Sequence, residues 1–130
     1  MIIITLLHPT QNIPLQSWLF ENEDIISIGR SIDNDVVVYS SVVSRCHVQL
    51  QKNGQQWEII NIGTNGTYLN EKEFTKIILE DNMIIRLADT GPKIKINMSI
   101  VAPENLKIKR KHNKKASSIH DQIKTFIRDV

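Results

Sequence analysis

The chain has 130 residues, 41% of them hydrophobic, with 16 Lys or Arg against 14 Asp or Glu and a formal net charge of +2. That length fits one domain and that apolar fraction supplies an ordinary core. No run of about 18 apolar residues occurs, which excludes a membrane-spanning helix, and the apolar start Ile2–Leu7 has neither the basic lead nor the small-residue cleavage site of a signal peptide.

The front of the chain reads as short strands separated by turn residues. Ile2–Leu7 is apolar and β-branched and is closed by His8-Pro9. Leu15–Phe20 alternates, with Leu15, Ser17 and Leu19 on one face and Gln16, Trp18 and Phe20 on the other. Ile25–Ile28 stops at Gly29, and Val36–Val38 follows the turn-forming Asp33-Asn34-Asp35. Val48–Gln51 and Trp57–Ile60 flank Asn53-Gly54, a hairpin signal because both residues accept the positive φ of a tight turn. A second Asn-Gly, Asn65-Gly66, introduces Thr67–Leu69, and Ile77–Leu79, Met83–Leu87 and Lys93–Val101 complete the set. Roughly ten or eleven strands in this rhythm, with no helix before Pro103, predict an all-β sandwich or barrel over residues 1–101. Spacing alone leaves those two open.

The charge is unevenly spread. Residues 1–103 hold 8 Lys/Arg and 11 Asp/Glu, a net of −3, whereas residues 104–130 hold 8 and 3, a net of +5. Lys107–Lys115 carries six of those cations, and such a run repels itself, so residues 102–117 are expected to form a basic linker. Ser118 with Asp121 then resembles a helix start, and Ile119, Ile123, Phe126, Ile127 and Val130 recur at helical spacing. Residues 118–130 are therefore expected to form an amphipathic helix, too short to be stable without a surface to lie on.

Four fragments carry the function. Gly29-Arg30 ends a strand, and Ser44-Arg45-Cys46-His47 follows the Ser-rich loop Ser40-Ser41-Val42-Val43. Thr64-Asn65-Gly66-Thr67 occupies a turn, and Asn70 follows three residues after Thr67. Taken singly each has a plain structural explanation: Arg30 as a surface cation, Ser44 as a loop serine, Asn65-Gly66 as a hairpin turn. In this order and at these separations (14 positions from Arg30 to Ser44, 3 to His47, 18 to Asn65, 5 to Asn70) they closely resemble the signature of the forkhead-associated (FHA) family. The resemblance implies an FHA-type β-sandwich of about eleven strands, whose loops at one end grip phosphothreonine.

It further implies that Arg30 anchors the phosphate through its planar fork, that Ser44 and Thr64 donate hydroxyls to it, and that Arg45 contacts phosphate or peptide backbone. Asn65 would hydrogen-bond the peptide backbone. Gly29, His47, Gly66, Thr67 and Asn70 are expected to support the loops, and Val42 lies where family members tune preference for the third residue after phosphothreonine. Family members commonly favour phosphothreonine over phosphoserine through a small pocket for the γ-methyl group. The chain departs from the family pattern at Asn61, where an acidic residue is frequent, and at Thr64, where Ser is frequent; the hydroxyl is kept. A threonine-phosphorylated protein, downstream of a Ser/Thr kinase, is the expected partner.

Catalysis fits poorly. Ser44 and His47 lack a nucleophile elbow and a third orienting group, and Cys46 and His47, as strand neighbours, face opposite sides. His8, His47, His112 and His120 have no metal-ligand spacing, and no Gly-rich nucleotide loop is present, so neither metal nor cofactor is expected. A single cysteine, Cys46, forms no internal disulfide and suits a reducing cytoplasm. The competing reading is electrostatic: residues 107–115 binding nucleic acid or an anionic membrane, or the helix joining two copies, on an FHA fold that works without phosphate.

Overall fold

In this computed structural model the described residues are 1–98 and 108–110, the latter as backbone only. The predicted helix at 118–130 and most of the predicted linker lie outside them. Twelve strands are described: β1 (Ile2–Leu7), β2 (Pro14–Phe20), β3 (Ile25–Gly29), β4 (Val36–Val37), β5 (Val48–Asn53), β6 (Gln56–Asn61), β7 (Thr67–Leu69), β8 (Lys72–Phe74), β9 (Lys76–Ile78), β10 (Met83–Leu87), β11 (Lys93–Met98) and β12 (Ile108–Arg110). They form two sheets, one in the order β12-β2-β1-β11-β10-β7-β8 and the other in the order β4-β3-β5-β6-β9. The expected all-β sandwich is what the described residues form, and no helix occurs among them.

The alternation read from the sequence sets the layers. Ile4, Ile85, Ile94 and Ile96 of the first sheet meet Ile26, Ile28, Val48, Leu50 and Ile59 of the second in one core, each wholly buried. Antiparallel register runs through the centre of both sheets: Ile4 lies opposite Ile96, and Leu50 opposite both Ile26 and Ile59. Gly54, at φ 67°, closes the β5–β6 hairpin at the predicted Asn53-Gly54 turn.

Three expectations need correcting. β8 is absent from the sequence reading; it pairs with β7 across a two-residue turn in which Asn70 (φ 51°) and Glu71 (φ 69°) both take positive φ. β9 begins at Lys76, and Leu79, expected within it, follows it as a buried residue. β12 falls inside the stretch expected to be linker: Ile108, Lys109 and Arg110 pair in parallel with Ser17, Trp18 and Leu19. Those three residues of β2 are buried, and unpaired backbone groups beside buried side chains are costly, so the edge takes a further strand despite its charge.

Leu50→Ala removes a wholly buried side chain from the middle of the core. Urea unfolding is expected to show a loss of about 2–5 kcal/mol; a loss under about 1 kcal/mol would place Leu50 outside the cooperative core.

Candidate functional site

Three loops meet at one end of the sandwich, because β3 and β6 end there and β5 and β7 begin there. The chain passes from Gly29 into residues 30–35, from Val37 into 38–47, and from Asn61 into 62–66. Backbone hydrogen bonds bind the first two loops together: Arg30 N donates to Ser44 O at 2.9 Å and Ser31 N to Arg45 O at 3.1 Å. The packing at this point is close. A Cβ on Gly29 would lie 2.1 Å from the Arg45 carbonyl oxygen, so only glycine lets the two segments approach.

Arg30 is exposed at the end of β3. Its Nε donates to Val43 O at 2.9 Å, and the Val43 side chain is itself buried in the core. The guanidinium plane is thereby aimed by a fixed anchor, and among the described residues no hydrogen bond or ion pair engages either terminal nitrogen. Arg45 is also exposed, while its carbonyl accepts the Asn34 side-chain amide. Two cations therefore share one rim.

The second and third loops are joined at Ser44. Its Oγ accepts a hydrogen bond from Thr64 N at 3.2 Å, which leaves the hydroxyl proton available to another acceptor. Asn65 Nδ2 donates to Val42 O at 2.9 Å, and the residue is exposed. Thr64 is exposed as well. Val42 is half-buried, its side chain packed on the core and its carbonyl holding Asn65.

His47 lies beneath these loops, wholly buried. Its Nδ1 accepts from Ser44 N at 3.0 Å, and its Nε2 lies 2.7 Å from Gly66 O. A backbone N–H needs an acceptor and a carbonyl needs a donor, so the ring is neutral with its proton on Nε2. Burial pushes the imidazole below the ordinary histidine range, and the bond to Gly66 offsets this only in part. The ring face is packed by Gly63, where a Cβ would come within 2.5 Å of it. Below it, Asn61 accepts from Thr67 Oγ1 at 2.7 Å and donates to Gly63 O at 3.2 Å. Gly66, at φ 81°, turns the loop into β7.

Of the eleven positions singled out from the sequence, ten gather at this end: Gly29, Arg30, Val42, Ser44, Arg45, His47, Thr64, Asn65, Gly66 and Thr67. Asn70 stands apart in the β7–β8 turn, where its backbone conformation is its contribution. Val43, Asn34 and Gly63 were missed as supports, whereas Asn61 was visible as a departure from the family pattern that bears on loop support. The apolar pair Val42-Val43 inside a polar loop was a usable signal for an anchor; Asn34, one of several turn residues, offered none.

The geometry does not assemble a nucleophile. His47 bonds the backbone of Ser44 rather than its Oγ, and both ring nitrogens are occupied. Burial, and then the Asp35 carboxylate, raise the Cys46 thiol above its ordinary range, which keeps it protonated and weakly nucleophilic.

His47 gives the fold a pH dependence. Its folded-state pKa is lowered, while the unfolded ring titrates near 6.5. The unfolded state therefore binds the proton more readily, so stability is full above about pH 6.5 and declines as pH falls toward the lowered value, by at most about 1.4 kcal/mol per pH unit. Urea unfolding at pH 7.5 and 5.5 is expected to show this decline in the wild type and a smaller one in His47→Gln. Equal declines would assign the effect to other groups.

The family model for the FHA domain matches residues 26–88. The oxoglutarate dehydrogenase inhibitor of Corynebacterium jeikeium is 30% identical over 67 residues, 51% of this chain and 46% of that protein. The glycogen accumulation regulator GarA of Mycolicibacterium smegmatis is 28% identical over 74 residues, 52% of this chain and 47% of that protein. The chain thus spans about half the length of these relatives, whose names are those of an inhibitor and a regulator. A solved structure from work on phosphothreonine-dependent FHA domain interactions matches with a TM-score of 0.63 at 24% identity, over 77% of this chain and 98% of its own. The three linked loops, the sandwich beneath them and these likenesses agree: residues 26–88 match the FHA domain model, and the fold around them is that of solved FHA domains.

Proposed function

We propose that this protein recognises a threonine-phosphorylated protein segment with the loop rim at Arg30, Ser44, Arg45, Thr64 and Asn65, and that it works by binding rather than by catalysis. The observation that carries the reading is the guanidinium of Arg30, oriented by the bond from its Nε to Val43 O, with the Arg30 backbone bonded to that of Ser44. A phosphate monoester carries a charge of about −1.5 to −2 at pH 7 and three acceptor oxygens. A planar two-nitrogen fork, a hydroxyl with a free proton and a second cation at Arg45 supply donors of the right number and sign. Asn65 Oδ1 accepts a backbone N–H of the bound segment, and Val42 enters through the carbonyl that aims Asn65.

The likeness to the domain studied for phosphothreonine-dependent interactions supports the same reading, as do the names of the two relatives, an inhibitor and a regulator. The protein then couples the output of a Ser/Thr kinase to assembly with a partner. The lowered basicity of His47 and the raised thiol of Cys46 leave no activated base or nucleophile at the rim, which supports binding alone.

Calorimetry with a phosphothreonine peptide library tests this. Arg30→Ala is expected to weaken binding of the best peptide at least about 30-fold, the loss of a charge-assisted pair at about 2 kcal/mol or more, while leaving the thermal midpoint within about 2 °C because the side chain is exposed. Arg30→Lys keeps the charge without the fork and should fall between. Replacing phosphothreonine by Asp or Glu should abolish measurable binding, since one carboxylate matches neither the charge nor the three oxygens. Equal affinity for the unphosphorylated peptide, or full affinity in Arg30→Ala, would sink the reading.

A further inference from the structure

The outer face of the seven-stranded sheet carries a cleft beside the rim. Ile85, Leu87, Ile94 and Ile96 of β10 and β11 fill the core, so Ile84, Arg86 and Lys93 point away from it. Arg86 lies directly opposite Lys93 in the register, with Tyr68 on its other side. The β1–β2 loop, the β10–β11 loop and the β7–β8 turn wall this row into a cleft of about 720 Å³. Ligand sites commonly measure about 300–1,000 Å³. Most of the side chains that line this one are polar, which suits a peptide side chain better than an apolar small molecule.

Two cations placed opposite each other on one sheet face repel, which destabilises the pairing. Among the described residues no carboxylate forms an ion pair with Arg86 or Lys93. Their hydrogen bonds go to neutral acceptors instead. Arg86 Nη1 donates to Gly91 O at 2.7 Å and Nη2 to Pro9 O at 3.5 Å, while Lys93 Nζ donates to Asn12 Oδ1 at 2.7 Å. These bonds fix the two charged heads without neutralising them, and each head keeps further donors. Both residues are half-buried, so their pull on an anion is screened less than that of a fully solvated pair. Glu71 and Asp89, both exposed, stand at the two ends of the cleft, one in the β7–β8 turn and the other in the β10–β11 loop. A carboxylate is attracted at the middle and repelled at either end. The arrangement fits a single acidic side chain rather than an acidic run.

The cleft is continuous with the rim through the β10–β11 loop. Ala88 N donates to Gly66 O at 2.8 Å, and a Cβ on Gly91 would come within 3.1 Å of the Val42 side chain. Gly91 thus lies between Val42 on the rim and Arg86 in the cleft. We propose that this cleft is a second subsite for the partner bound at the rim, in which one Asp or Glu side chain of that partner seats between Arg86 and Lys93. The proposal rests on the reading of the rim as a phosphothreonine site. A chain leaving the rim past Val42 covers about 13 Å in four extended residues, enough to cross one loop. The acidic residue therefore stands roughly four to seven positions from the phosphothreonine.

Calorimetry on the full chain at low salt tests it, using phosphothreonine peptides of otherwise Gly-Ser sequence in which one Glu is walked along each side. One position is expected to bind about fivefold tighter with Glu than with Gln, an advantage that fades at high salt. Lys93→Gln should remove that advantage and leave the affinity for the Gly-Ser phosphopeptide unchanged. A second measurement reads the cleft directly in the wild type, with or without phosphate on the peptide. At millimolar peptide the amide NMR signals of residues 84–89 and of Lys93 should shift with the best Glu peptide and stay still with its Gln counterpart. Glu and Gln binding alike at every position, a Glu advantage that survives Lys93→Gln, or still amide signals would each overturn the proposal while leaving the rim reading intact. Binding that ignores phosphate would sink the rim reading instead, and the amide signals would still decide whether the cleft takes the acid.

Discussion

The rim depends on one neutral imidazole. His47 takes a hydrogen bond from the backbone of Ser44 with one nitrogen and donates to the carbonyl of Gly66 with the other, so a single planar ring sets the distance between two loops. Both loops carry the polar groups that face outward. Because the ring is wholly buried and packed by Gly63, it has no room to tilt, and the loops inherit its rigidity. Protonation would turn the Nδ1 acceptor into a donor facing another donor, so the fold and the rim share one condition.

Above the ring, the polar side chains are held by backbone atoms. The carbonyls of Val43, Val42 and Arg45 take hydrogen bonds from Arg30, Asn65 and Asn34 respectively. For Arg30 and Asn65 the bond consumes one side-chain donor and leaves others unused, whereas Asn34 spends its second amide donor on Ser31 O. This is preorganisation: part of the rotamer freedom of a long side chain is lost on folding rather than on binding, which reduces the entropic cost of association. It also explains why a rim made of loops has a defined geometry, since every loop is tied at its middle as well as at its ends.

Much of this was legible in the sequence, for physical reasons that differ by element. β1, β7 and β10 were read to the residue because apolar runs bounded by turn residues leave little choice of register. β8 was not, because Lys72-Glu73-Phe74 has no alternation and its turn places Glu71, an unremarked residue type for the purpose, at positive φ. β12 was hidden by its charge, which argued for repulsion, whereas the unpaired edge of β2 decided the outcome. At the rim the side chains that face outward were readable as a motif. The atoms that hold them were not, because they are carbonyl oxygens, which every residue has and no residue type announces. Asn61 is an intermediate case: its departure from the family pattern was visible, and its bonds to Thr67 and Gly63 give that departure a supporting role.

The sheet margins have a consequence of another kind. Among the described residues the outermost strands are β12 and β8 in one sheet and β4 and β9 in the other, and each is described over only two or three residues. A long flat margin with open amide and carbonyl groups is a template on which further chains stack into fibrils; a stub of two or three residues offers too few bonds in register to hold one. Edges this short keep the flanks of the two sheets from serving as such a template.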